Sequence, residues 1–293
     1  MHRRPTHSSA LKSMTPEALR AFMETRNDSD YVLVDVRQPV EYESGHIPGA
    51  LFLPILELER KLFSLPGDRD LVFYCHSGGR SRAAAFLAAE AAVTVGNVYN
   101  LEGGILAWEG KKLTDFPRIQ VFDTSAGIEA LLYTAMDLEK GAWRFYRAAM
   151  EKAADHPIFS TLSELSEAES VHARAVYKHW APTQKDPQPF QDLFSSLAGD
   201  IMEGGESLSS ALERLEALSG DFCLAIIELA LHIEYCAYDL YRTTAETSED
   251  AGIKGTLLSV AQAEKSHMRM LTRGIARCGE WSGPQPAAKR DPE

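Results

Sequence analysis

Through the first 112 residues the apolar positions come in short runs, and through the rest of the chain they recur at helical spacing. Tyr31–Val36 and Asp70–Tyr74 are near-continuous apolar runs, the form taken by strands buried on both faces. Asn97–Leu101 gives another strand before Gly103 and Gly104. Thr15-Pro16-Glu17 opens a helix, with Thr as the cap and Pro at the first position, and Ser81–Ala92 reads as an Ala-rich helix. This alternation predicts an α/β domain whose mainly parallel sheet is flanked by helices.

From Ile128 the apolar period changes to i, i+3, i+4, i+7, and helices are predicted over 127–153, 157–180, 221–246 and 250–278. About forty residues separate the second helix from the third; they hold Pro182, Pro187 and Pro189 and a short helical piece near 207–217. Two helical hairpins joined by one long crossover make the ferritin-like form of an all-α four-helix bundle. The expected organisation is a domain over 1–115, a linker over 116–126, a bundle over 127–280 and a disordered polar tail over 281–293.

Composition leaves this picture alone, whereas charge adds to it. A chain of 293 residues, 45% hydrophobic and 25% charged, is long enough for about two globular domains. Of the net charge of −12, residues 1–120 carry −1 and residues 121–293 carry −11. The acidic second half repels phosphate, which argues against nucleic acid and anionic membrane as partners and suits cations. Phe222–Tyr241 is apolar and long enough to span a bilayer, but Glu228, His232, Glu234 and Asp239 lie inside it, so it reads as a core helix. Residues 1–14 have no apolar core and do not read as a signal peptide, so a cytoplasmic protein is expected. The four cysteines do not read as a disulfide framework. Cys223 and Cys236 are taken as plain buried residues, and Cys278 as a minor candidate to accept sulfur.

The strongest local signal is Cys75-His76-Ser77-Gly78-Gly79-Arg80-Ser81, at the carboxyl end of the strand predicted over Asp70–Tyr74. Open α/β sheets place their sites there. The two glycines let successive N–H groups turn inward as an anion nest, and the helix that follows aims its positive end at the same spot. Both effects favour a thiolate and arm Cys75 as a nucleophile. Arg80 adds a fixed charge and a planar fork for an anionic substrate, and residues 76–81 are the expected binding loop.

The first ~115 residues resemble a single-domain rhodanese. The likeness rests on Leu33-Val-Asp35-Val-Arg37, on Glu41 through Ala50 with its Gly45-His46-Ile47-Pro48-Gly49 core, on the Cys75 loop, and on Leu101-Glu-Gly103-Gly104 through Trp108. It implies a sulfurtransferase in which Cys75 accepts a sulfane sulfur as a persulfide and passes it to a nucleophile. The implied donor is thiosulfate or a persulfide, and the acceptor a thiol or cyanide. The spacing from Cys75 to Arg80 looks like the sulfurtransferase loop, the related phosphatases using one residue more. Asp35, Arg37 and His46 are read as scaffold around the loop.

The second half repeats itself. Ala135, Leu138, Glu139, Ala142 and Tyr146 match Ala230, Ile233, Glu234, Ala237 and Tyr241, and each Glu is followed thirty residues later by a Glu-x-x-His pair, Glu169/His172 and Glu264/His267. The offset is 95 residues at all three positions. Each Glu sits in an apolar stripe, and each hairpin rises and returns by similar lengths, so all six side chains are expected at one height. Four buried carboxylates would repel one another, and two divalent cations would balance them. Carboxylate with imidazole suits iron, with manganese as the alternative. Tyr146 and Tyr241 are read as packing residues.

Residues ~127–278 look like the rubrerythrin branch of the ferritin-like proteins, which implies a di-iron centre held by Glu139, Glu169, His172, Glu234, Glu264 and His267. The additional Glu that some relatives carry near the third-helix ligand is absent, since positions 231 and 237 are Leu and Ala, and no Cys-x-x-Cys module is present. The reading is a sulfurtransferase joined to a di-iron domain with a redox role toward peroxide or oxygen, or an iron-binding role, with an electron-donor protein and a second copy of the bundle as partners. The alternative is a persulfide relay or sensor whose bundle only binds metal.

Overall fold

The computed structural model describes residues 11–123 and 126–279; the expected tail and positions 124 and 125 of the expected linker lie outside the described residues. Two compact units emerge. One joins the residues up to Ile119 with Tyr235–Lys265, and the other joins Gln120–Glu234 with the residues from Ser266 onward. The segment expected as one bundle, 127–280, is thus shared between them.

The first unit is built on five strands, β1 (Leu11–Met14), β2 (Tyr31–Asp35), β3 (Leu51–Phe52), β4 (Asp70–Tyr74) and β5 (Val98–Leu101). They form one parallel sheet in the order β1-β5-β4-β2-β3. Its helices are α1 (Pro16–Thr25), α2 (Pro39–Glu43), α3 (Ile55–Lys61), α4 (Gly79–Glu90) and α5 (Gly104–Ala107). Side chains alternate across the central strands. Val32, Val34, Leu71 and Phe73 join the core that takes in Leu58 of α3 and Ala84, Ala85 and Ala88 of α4. Tyr31, Leu33, Val72 and Tyr74 face the other core, with Leu19 of α1 and Ile105 of α5. Both faces of β2 and β4 are therefore covered, which explains their unbroken apolar sequence. The sequence reading lacks β1 and β3: β1 buries only its last residue, and β3 is two residues long.

The stretch Tyr235–Lys265 is held to this sheet by buried charge. The carboxylate of Asp28 accepts hydrogen bonds from the Tyr238 hydroxyl at 2.9 Å, the Lys265 ammonium at 2.9 Å and the Arg242 guanidinium. Asp239 accepts from the Gly49 N–H at 2.6 Å and pairs with His46 Nε2 at 2.9 Å. His46 also stacks on Tyr42, with ring centroids 4.0 Å apart. It is a buried, packed histidine paired through Nε2 alone, its Nδ1 making no hydrogen bond among the described residues, and its place fits the scaffold reading.

The second unit is largely helical. Its long helices are α6 (Gly127–Lys152), α7 (Phe159–Trp180), the part of α10 (Phe222–Thr247) up to Glu234 and the part of α11 (Ala251–Gly279) from Ser266, with the short α8 (Phe190–Ser196) and α9 (Leu208–Glu216) on the crossover. One core gathers Phe145 and Tyr146 of α6, Leu162 and Leu165 of α7, Ile226 and Ala230 of α10, and Leu271 of α11. The cysteine reading is corrected here: Cys223 and Cys278 form a disulfide, their Cα atoms 5.7 Å apart across 55 residues of sequence. Helical spacing within one helix says nothing about the opposite end of another, so the pairing was invisible. Cys278 is thereby removed as a sulfur acceptor, and Cys236 is half-buried rather than buried. Among the described residues no helix is long and apolar enough to cross a membrane.

Candidate functional site

β4 is the middle strand of the sheet, and Cys75 is the first residue beyond it. Its side chain is buried, with the residue 1% exposed, while His76, Ser77 and Gly79 lie at the surface. The Cys75 Sγ accepts from the Gly78 N–H at 3.1 Å and from the Ser81 hydroxyl at 3.3 Å. Burial opposes the thiolate here. The Ser81 hydroxyl and the N–H groups of Ser81, Gly78 and Ser77 outweigh it and hold the thiol below its ordinary range. The Ser81 hydroxyl also lies 2.7 Å from Asn100 Oδ1 on β5, so its single proton is shared between the amide and the sulfur.

The loop is fixed from behind by the Gly103-Gly104 turn. Ile105 N–H donates to the Cys75 carbonyl at 2.8 Å and Leu106 N–H to the His76 carbonyl at 3.1 Å. A Cβ at position 104 would lie 2.4 Å from the Cys75 carbonyl oxygen, so only glycine permits this approach. Asp35 and Arg37 are paired in a fork, and Arg37 donates at 2.7 Å to the Gly45 carbonyl, which bears out their scaffold role.

Arg80, expected as a substrate fork, has a partner that sequence reasoning missed. Its guanidinium donates to both carboxylate oxygens of Glu41, at 2.7 and 2.6 Å. These bonds pull the Glu41 carboxyl down to about 2. Glu41 also accepts from the Gln38 N–H at 3.1 Å and so caps α2. No local signal links positions 41 and 80. Asn100 was missed for the same reason.

A second cluster lies in the helical unit. Glu139, Glu169, Glu234 and His267 are buried, and His172 nearly so. His172 Nδ1 lies 3.4 Å from Glu139 and 3.5 Å from Glu169. His267 Nδ1 lies 3.4 Å from Glu169 and 2.9 Å from Glu234. The two imidazoles stack with centroids 4.7 Å apart. Tyr146 donates its hydroxyl to Glu234, and burial pushes its own pKa well up. Glu264 is buried on α11 one turn before His267. Donor atoms of Glu139, Glu169 and His172 fall within 4.8 Å of one another together with a residue the repeat does not contain, Glu203. Glu169, His172 and His267 form an overlapping group on the same criterion. Buried carboxylate oxygens and imidazole nitrogens at this spacing fit hard or borderline metal ions.

A parallel sheet that delivers a buried, hydrogen-bonded cysteine from its middle strand into the first turns of a helix defines a thiolate-loop α/β domain. Residues 15–111 match the model of the rhodanese-like domain. A sulfurtransferase of Allochromatium vinosum is 46% identical over 80 residues, which cover 27% of this chain and 72% of that protein. The thiosulfate sulfurtransferase GlpE of Pseudoalteromonas translucida is 31% identical over 87 residues, covering 30% of this chain and 81% of that one. The crystal structure of a rhodanese-like domain protein from Staphylococcus aureus is 28% identical and covers 36% of this chain and 98% of its own, with a TM-score of 0.32. Through residues 15–111 the chain belongs to the rhodanese-like family.

Proposed function

We propose that the protein is a rhodanese-type sulfurtransferase with Cys75 as the sulfur carrier. The observation that carries this is the set of donors converging on the buried Sγ, from Ser77, Gly78 and Ser81, at the end of the middle strand. The Cys75 thiolate attacks the outer sulfur of a donor such as thiosulfate. The sulfur–sulfur bond breaks, its electron pair leaves with sulfite, and Cys75 keeps the sulfur as a persulfide. A thiolate or cyanide then attacks the terminal sulfur and releases the Cys75 thiolate. The loop N–H groups suit both anionic states because they neutralise charge without carrying a proton that must move. Mass spectrometry should find an adduct of about 32 Da, one sulfur atom, after exposure to donor. Cys75→Ser should abolish both adduct and turnover; an unchanged rate would end this reading.

The helical unit is read as a ferritin-like domain that binds two iron ions, manganese being the alternative. Glu139, Glu169, His172, Glu234, Glu264 and His267 are the ligands the repeat singles out. Support comes from the buried donor set and from Glu169, whose two carboxylate oxygens lie 3.5 Å from His172 of one repeat and 3.4 Å from His267 of the other, which suits a carboxylate shared by two ions. Bound iron would supply one-electron chemistry toward peroxide or oxygen. Residues of the chain would position the ions and exclude water around them, with Tyr146 holding Glu234 by its hydroxyl. Metal analysis with a peroxide turnover assay separates a redox centre from a domain that only binds metal, the form expected of a persulfide relay or sensor.

A further inference from the structure

We infer that Glu203, on the crossover between α7 and α10, is an additional metal ligand that makes the two ion positions unequal. This rests on the metal reading of the helical unit. Nothing in the repeat points to Glu203; the backbone around it does.

α6 carries a glycine in its interior, Gly141, where a helix is weakened by glycine. A Cβ there would lie 2.2 Å from the Ile201 carbonyl oxygen and 3.0 Å from the Met202 Cα. The crossover backbone therefore rests directly on the helix backbone. Gly199 answers it from the other side, since a Cβ at 199 would meet the Gly141 nitrogen at 2.9 Å. Side chains of α6 on the same face bracket the segment. Asp137 accepts the Gly199 N–H at 2.9 Å, and Arg144 donates to the Ala198 and Gly199 carbonyls and, at 2.8 Å, to Asp200. Residues 137, 141 and 144 follow helical spacing, so one stripe of α6 grips residues 198–202.

Beyond that grip the chain closes a tight turn. Met202 N–H donates to the Glu206 carbonyl at 2.8 Å, Leu208 N–H to the Asp200 carbonyl at 2.8 Å, and Gly205 N–H to the Met202 carbonyl at 2.9 Å. Ile201 and Ser207 are exposed, and residues 204–206 are partly so. Glu203 alone among the charged residues of this turn is turned inward, 1% exposed. A surface turn can leave a glutamate in water at no cost, yet this one points into the unit's interior. Its carboxylate joins Glu139, Glu169 and the His172 imidazole with donor atoms all within 4.8 Å. Three carboxylates and an imidazole at that spacing are a donor set that a hard cation can ligate.

The consequence is asymmetry. The 95-residue repeat gives each half one Glu and one Glu-x-x-His pair, and Glu203 lies outside it, on the crossover. The position served by Glu139 and His172 therefore gains a carboxylate. It should bind a divalent cation more tightly than its twin and favour the more highly charged ion.

The test is anaerobic titration of the full chain with Mn(II) or Fe(II), read by calorimetry and bound-metal analysis, with melting curves of the metal-free and metal-loaded protein. The wild-type chain should bind in two unequal steps. Glu203→Gln should weaken the tighter step by at least about tenfold, and Glu203→Asp should restore part of it. The Mn(II) electron paramagnetic resonance spectrum should change in Glu203→Gln. The metal-free melting temperature should rise in Glu203→Gln, because a repelling charge is gone, while the rise on metal addition shrinks. A purely structural glutamate would do the opposite, lowering the metal-free melting temperature with the affinities intact, and that result overturns the inference. If the wild-type chain binds no metal, the metal reading itself falls and takes this inference with it. If Glu169→Ala loses metal and Glu203→Gln does not, only the inference falls.

Discussion

The cysteine loop and the carboxylate–imidazole cluster both bury negative charge, and they do it by opposite means. The loop holds a single sulfur anion among N–H groups and one hydroxyl, dipoles that the fold itself aims and that cost nothing to keep. The cluster gathers several carboxylates around two imidazoles, a donor set that a cation could join. The first site is complete once the chain folds; on the metal reading proposed above, the second takes an ion as well. A reaction that passes one sulfur in and out suits the former, and a resident metal suits the latter.

The contrast can be broken most sharply at the metal. Stripping the metal should lower the melting temperature of the helical unit and leave persulfide formation on Cys75 unchanged. At free metal a hundredfold above Kd, binding contributes about 2.7 kcal/mol, roughly 5–11 °C in a unit of this size. Glu169→Ala should remove most of that gain, because Glu169 reaches both His172 and His267. Differential scanning calorimetry with and without chelator measures it. Equal shifts in the metal-free and metal-loaded protein would mean that Glu169 is structural only.

A smaller effect is expected where the loop uses a hydroxyl. Ser81→Ala removes the strongest of the contacts that hold the Cys75 thiol below its ordinary range, and burial then pushes it upward. Less thiolate is present at neutral pH, so persulfide formation should slow by about tenfold, the worth of one hydrogen bond to a charged group. The rate should recover as pH rises, because the thiol then ionises without the hydroxyl. The midpoint of the pH–rate profile moves to higher pH. A slower rate with an unmoved midpoint would show that Ser81 positions the loop and leaves the thiol's acidity alone.

What was legible in the sequence follows the same divide. The Cys75 loop is contiguous, so strand, glycines and helix start could be read together, and only the helix start moved, from Ser81 to Gly79. The repeat was legible because helical period and a constant offset place Glu139, Glu169, His172, Glu234 and His267 on inward faces, and the structure buries them, His172 nearly so. Glu203 was not, because a crossover has no period and its turn reads as a break between helices. The Cys223–Cys278 disulfide and the Asp28 cluster were invisible for a related reason. Each joins residues far apart in sequence, with 55 residues between the cysteines and 214 between Asp28 and Arg242. A buried Arg242 looks like any polar helix position until its partner is known.

The smallest predicted effect concerns Arg80, whose fork was expected to face the substrate and instead holds Glu41. The pair is about one-third exposed on each side, 35% for Arg80 and 31% for Glu41, so it is worth at most about 1 kcal/mol. Glu41→Gln keeps an acceptor for the Gln38 N–H that caps α2 but removes the charge that occupies the guanidinium. Arg80 is then available to an anionic donor, and KM for thiosulfate should fall by up to about fivefold, with kcat little changed. A neutral sulfur donor should be handled as before. Acidity cannot imitate the substitution. Arg80 holds the Glu41 carboxyl down to about 2, so the pair contributes fully above the ordinary carboxylate range and is lost only as pH falls through that value. KM for thiosulfate should therefore show no step attributable to Glu41 between pH 5 and 8. Arg80→Lys should work in the other direction, because a point charge cannot replace a planar fork, and should raise KM for thiosulfate more than for a neutral donor. Equal losses for both donors, together with no gain in Glu41→Gln, would mean that the Glu41–Arg80 pair braces the loop and takes no part in choosing its substrate.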